Sequence, residues 1–108
     1  ACLTNNFNAN EDKSALDNNN QERQRILGLF DYIIESREVR VRKPEDKFYE
    51  IALTTTGCDP AEVIFLDDLG INLKPAKALG MTTIKVVDHI KSIKELCEYL
   101  EIDSERII

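Results

Sequence analysis

Asp67 and Asp68 stand side by side at the end of an apolar run, Val63-Ile64-Phe65-Leu66. Adjacent carboxylates there are costly to bury without a cation or strong donors, which points to a hard metal ion such as magnesium with oxygen ligands. Two further polar signals follow apolar segments: Thr4-Asn5 after Ala1-Cys2-Leu3, and Lys43 at the end of a basic stretch that also holds Arg37, Arg40 and Arg42. That stretch makes one edge of an acidic protein basic and suited to an anionic ligand. Each signal also has a plainer reading. Thr4 suits any strand end, Lys43 any solvated position before a helix, and Asp68 any turn or cap. Arg37 and Arg40 alone read as solubility charges.

The elements that must carry these residues follow from periodicity. Ala1 to Asn5 reads as a short first strand, and the asparagine-rich stretch 6–20 as a flexible loop leading into a helix with Ile26, Leu29 and Phe30 on one face. Phe30 to Glu35 reads as a second strand centred on Tyr32, Ile33 and Ile34. A loop then carries the basic residues to Lys43. Pro44 is expected in the first turn of a helix that shows Phe48, Ile51, Ala52 and Thr55 on one face and stops at Gly57. Asp59-Pro60 restarts the chain. Val63 to Leu66 is too short for a helix and reads as a fully buried parallel strand ending at Asp67-Asp68. A helix from about Asn72 to Leu79 stops at Gly80, a strand runs from Thr82 to Val87, and Ile93, Leu96, Cys97 and Leu100 mark a last amphipathic helix. Alternating strands and helices predict an α/β fold with a mostly parallel sheet. In such a sheet, ligands bind beyond the carboxyl ends of the strands, the edge on which Thr4-Asn5, Lys43 and Asp67-Asp68 all fall.

Composition sets the outer limits. A chain of 108 residues with 43% hydrophobic side chains builds one small core and one domain. The net charge of −6 argues against nonspecific nucleic-acid binding. No apolar run reaches membrane-span length, and no basic stretch precedes an apolar block at the start. The chain opens without methionine, in what reads as mid-strand, and is expected to be a piece of a longer protein. Cys2, Cys58 and Cys97 are widely spaced, form no CxxC pair and read as small core residues in a reducing, cytoplasmic compartment. His89, Lys85 and the tyrosines carry no chemical signal.

Leu3-Thr4-Asn5, Arg42-Lys43-Pro44, and Val63 through Asn72 followed by Ala76-Lys77-Ala78-Leu79-Gly80-Met81 resemble, in order and spacing, the second, third and fourth motifs of the haloacid dehalogenase-like hydrolases. Within that superfamily the chain resembles the N-terminal phosphatase domain of soluble epoxide hydrolase and the related domain of certain acyl-CoA dehydrogenase family members. The resemblance implies a Rossmann-like three-layer sandwich. It also implies a magnesium-dependent phosphatase acting on phosphorylated small molecules or lipid phosphates. On that basis Thr4 would donate to the phosphoryl oxygens, Asn5 would shape the turn and face the substrate, and Lys43 would hold nucleophile and phosphate together. Asp68 would bind magnesium directly, Asp67 would act behind it or through water, and Asn72, where many relatives place a carboxylate, would orient that shell.

One departure from the family pattern bears on activity. The family's first motif is a strand ending in two aspartates one residue apart, the first a nucleophile and the second an acid for the leaving group. The 108 residues contain no such pair. The expectation is therefore a partial core, residues 1–108, lacking the first-motif strand and the cap and inactive alone. Exposed inner strand edges then invite self-association or complementation by the N-terminal half. A non-catalytic interaction module or degenerate domain is the alternative. A phosphoacceptor signalling domain is excluded by order, since there the acidic pair precedes the hydroxyl and the lysine.

Overall fold

The computed structural model describes residues 1–5 and 21–102. The asparagine-rich stretch 6–20 lies outside the described residues. The chain divides into two compact units, Ala1–Gly57 and Cys58–Ile108.

In the first unit, β1 (Cys2–Thr4) pairs in parallel with β2 (Ile33–Glu35), setting Leu3 beside Ile34 and Thr4 beside Glu35. Between them, residues 21–27 form α1. This helix ends before Leu29 and Phe30, so the expected apolar face does not extend to them. Leu29 is 81% exposed, and Ile26 and Phe30 are also exposed. Residues 36–39, expected in a loop, instead form a single helical turn, α2 (Ser36–Val39). α3 (Asp46–Thr56) follows. Ile34, Phe48 and Ala52 form the core of this unit, with Leu3, Val39, Val41 and Ile51 packed against it. Thr55, expected on the buried face, is exposed, whereas Tyr49 is fully buried and meets Phe48 edge-on at 6.4 Å between ring centroids. Gly57 closes α3 at φ 69°, a left-handed conformation that glycine adopts without a Cβ penalty.

The expectation for Pro44 is corrected in position. α3 begins only at Asp46 with Glu45 as its N-cap residue, and Pro44 sits in the preceding turn, joined to Lys43 by a cis peptide bond. Glu45 N–H donates to the Arg42 carbonyl at 2.8 Å across that turn.

The second unit begins with a 3-10 turn at Pro60–Glu62. β3 (Ile64–Asp67) and β4 (Thr82–Lys85) then pair in parallel, with Phe65 beside Thr83 and Asp67 beside Lys85. β3 is less enclosed than its apolar sequence suggests: Phe65 and Asp67 are buried, while Ile64 and Leu66 are half-buried. A strand in a two-stranded sheet has only one neighbour along its length, so parallel pairing does not by itself enclose both faces. α4 (Gly70–Leu79) turns Asn72 and Ala76 inward at helical spacing and packs on both strands. It ends at Gly80, whose φ of 107° again suits glycine. α5 (His89–Leu100) packs on β4, and Asp88 caps it by accepting from the N–H groups of Ile90 and Lys91. Its buried residues are Ser92 and Cys97, with Ile93 and Leu96 half-buried. Leu100, expected on the inner face, is 50% exposed because it belongs to the last turn. Of the cysteines, Cys97 is the buried core residue, while Cys2 and Cys58 are half-buried.

Candidate functional site

In the first unit, β1 delivers Thr4 and Asn5 at its carboxyl end, both half-buried. Asn5 Nδ2 donates to the Lys43 carbonyl at 3.0 Å, and Lys43 N–H donates to Asn5 Oδ1 at 2.9 Å. One side-chain amide thus satisfies both backbone groups of a residue 38 positions along the chain. It does so in the way a neighbouring strand would, and it fixes Lys43 beside the end of β1. The clamp fits the expectation that Asn5 shapes the turn, and it uses one donor and one acceptor of the amide. A lone asparagine after a strand gives no hint of a partner so far away in sequence, which explains why the clamp escaped sequence reasoning.

In the second unit, Asp67 closes β3 and is only 8% exposed. Leu69 N–H donates to Asp67 Oδ1 at 2.9 Å, and Asn72 Nδ2 lies 3.3 Å from each carboxylate oxygen. The Asp67 carbonyl accepts from Val86 N–H at 2.9 Å, extending the ladder to β4. The carboxylate also sits at the amino end of α4, where the helix dipole favours negative charge. Asp68, the next residue, is exposed.

These placements change the argument for a cation. Only one of the two adjacent carboxylates is buried, and donors from the chain offset its desolvation, so burial of the pair does not demand a metal. Among the described residues, no group of three or more His, Cys, Asp or Glu side chains gathers to hold a metal ion. Magnesium usually keeps several waters and takes one or two carboxylates with substrate phosphate. The exposed Asp68 carboxylate fits one share of such a shell, and Asp67 fits a supporting position.

Comparison with known proteins gives the family. The sequence model described as haloacid dehalogenase-like hydrolase matches residues 10–86, well over half of the chain. The chain belongs to the haloacid dehalogenase-like hydrolases. Bifunctional epoxide hydrolase 2 of Rattus norvegicus is 49% identical over 67 residues, covering 62% of this chain and 12% of that protein. Acyl-CoA dehydrogenase family member 10 of Mus musculus is 38% identical over 96 residues, covering 89% of this chain and 8% of that protein. The chain thus spans a small fraction of the length of these relatives. The crystal structure of an uncharacterized protein from Corynebacterium glutamicum superposes with a TM-score of 0.68 at 18% identity, covering 89% of this chain and 68% of that one. The fold is therefore the α/β, Rossmann-like fold expected from the alternating elements, and the described residues form two parallel sheets of two strands each. Lys43, Asp67, Asp68 and Asn72 fall within the matched segment, and Thr4 and Asn5 precede it.

Proposed function

We propose that this hydrolase-family chain supplies the phosphate and metal contacts of a magnesium-dependent phosphatase. The observation that carries the reading is the Asn5 clamp, which fixes the backbone of a lysine next to the hydroxyl-bearing end of β1. A lysine ammonium so placed acts as a point charge against a phosphoryl group, and Thr4 adds a hydroxyl donor. Asp68 would hold magnesium, which neutralises phosphoryl charge when bound, while Asp67 and Asn72 keep the turn that presents it. The substrates in this reading are phosphate monoesters of small molecules or lipids.

In such a phosphatase the ester is split through an aspartyl-phosphate, and the aspartate must come from outside these 108 residues, which hold no aspartate pair one residue apart. The chain alone is accordingly inactive, and an N-terminal half completes it. The same missing pair favours a second reading, a non-catalytic interaction module. No helix among the described residues is long and apolar enough to cross a membrane. A reducing, cytoplasmic compartment suits the cysteines.

The test is hydrolysis of p-nitrophenyl phosphate with magnesium, by the chain alone and mixed with the N-terminal half of a family relative, with association checked by gel filtration. Silence alone, turnover in the mixture and loss of that turnover in Asp68→Ala are expected. Turnover by the chain alone that survives Asp68→Ala refutes the proposal, and silence of an associated mixture favours the non-catalytic module.

A further inference from the structure

The stretch that leads to Lys43 alternates in burial. Val39 and Val41 pack against the Ile34, Phe48 and Ala52 core, which leaves Arg40 and Arg42 exposed on the solvent side. Arg40 closes α2 at φ 62°, with its N–H donating to the Ser36 carbonyl at 2.8 Å. Glycine is the residue that takes a left-handed helix end without penalty, so the chain places a long cationic side chain where local geometry disfavours one. The ion pair found among the described residues joins Arg37 to Glu35 at 3.2 Å, and it involves neither Arg40 nor Arg42. Two exposed arginines therefore precede, by one and three residues, the lysine whose backbone Asn5 fixes.

We infer that Arg40 and Arg42 form a subsite for a second anionic group on the substrate, beside the phosphoryl group held at Lys43. The inference rests on the proposed role of Lys43. It narrows the substrate class to phosphate esters that carry a further phosphate or carboxylate. A planar guanidinium presents paired donors that match either group in a two-point contact, which a lysine cannot do. The geometry of the stretch supports this division of roles, since the half-buried valines packed on the core leave the arginines exposed while the clamp holds the backbone of the lysine.

The test is calorimetric titration of the full chain, without added metal and at physiological ionic strength, where charges beyond about 8 Å are screened. The probes are inorganic phosphate, pyrophosphate and phosphoglycolate. Pyrophosphate and phosphoglycolate are expected to bind roughly tenfold more tightly than phosphate, the scale of one added charge-assisted contact. The double variant Arg40→Gln/Arg42→Gln should bring that preference to about unity and leave phosphate affinity unchanged. Arg37→Gln, which removes one charge from α2, should leave the preference intact. A preference for only one two-group probe assigns the second group as phosphate or as carboxylate. A preference that survives the double variant, or that falls equally in Arg37→Gln, overturns the subsite. Phosphate affinity unchanged in Lys43→Gln overturns instead the reading of Lys43 on which the subsite rests. All four positions lie on the surface or half-buried, and far-ultraviolet circular dichroism verifies that each variant is folded.

Discussion

Replacing Asn5 by alanine removes both hydrogen bonds that its side chain makes to the Lys43 backbone, at 3.0 and 2.9 Å. A typical intramolecular hydrogen bond contributes about 1 kcal/mol net, and leaving a buried backbone donor and acceptor unsatisfied costs about 1–3 kcal/mol each. Lys43 is half-buried, so water re-solvates part of what is exposed, and the sum expected for Asn5→Ala is about 2 kcal/mol. For a domain of this size 1 kcal/mol moves the thermal midpoint by about 4–8 °C, so a fall of roughly 8–16 °C is expected. Urea denaturation followed by circular dichroism measures the same quantity, with an unchanged slope if only the native state has lost interactions. Asn5→Asp is the sharper probe. It keeps an acceptor for Lys43 N–H and turns the donor that faced the Lys43 carbonyl into a second oxygen, so it should be no more stable than Asn5→Ala. Amide exchange localises the effect, since Lys43 N–H donates to Asn5 Oδ1 and should exchange faster once that acceptor is gone. A loss under 0.5 kcal/mol with Lys43 exchange unaltered would falsify the clamp as a tie between the end of β1 and the loop before α3.

Three further outcomes are expected. Asn72→Ala, which strips a donor from both oxygens of the buried Asp67 carboxylate, should lower stability by about 2 kcal/mol in urea titration, the range for bonds to charged groups. Asp68→Ala alters an exposed side chain and should stay within about 0.5 kcal/mol of the parent in the same titration. Asp88→Ala removes the acceptor of the Ile90 and Lys91 N–H groups and should cost about 1 kcal/mol, with Asp88→Asn recovering most of it.

The alternation of elements was legible because strand and helix periods differ and because Gly57 and Gly80 mark helix ends through a backbone conformation that favours glycine. Boundaries were less so. The helix before β2 stops at residue 27 rather than running on to Leu29 and Phe30, and the basic stretch contains the short helix α2. Four residues carry too little periodic signal to separate a helical turn from a loop. At the candidate site, the residue types were readable while the hydrogen-bond partners that position them were not. The apolar run before Asp67-Asp68 gave no way to tell the two carboxylates apart, and only the family resemblance set Asp67 behind Asp68; in the structure the first carboxylate turns inward to Leu69 and Asn72 and the second is exposed. Asn5 looked like a turn residue, and only the folded chain brings the backbone of Lys43 to its amide.

The two units use one device. In the first, Asn5 binds backbone and fixes the residue that carries the Lys43 charge. In the second, Asn72 and the Leu69 N–H occupy Asp67, and the turn so fixed carries Asp68. A side-chain amide shapes the chain in each case, and the charged group beside it is the one proposed to meet ligand. Stability and chemistry should therefore separate by residue, with losses at Asn5 and Asn72 appearing mainly in unfolding and those at Lys43 and Asp68 mainly in binding or turnover. A Lys43→Met variant gives the discriminating case. It keeps the backbone groups that Asn5 holds and removes only the ammonium, so a chain that loses phosphate binding while keeping its Lys43-position amide protection would separate the two roles in one molecule.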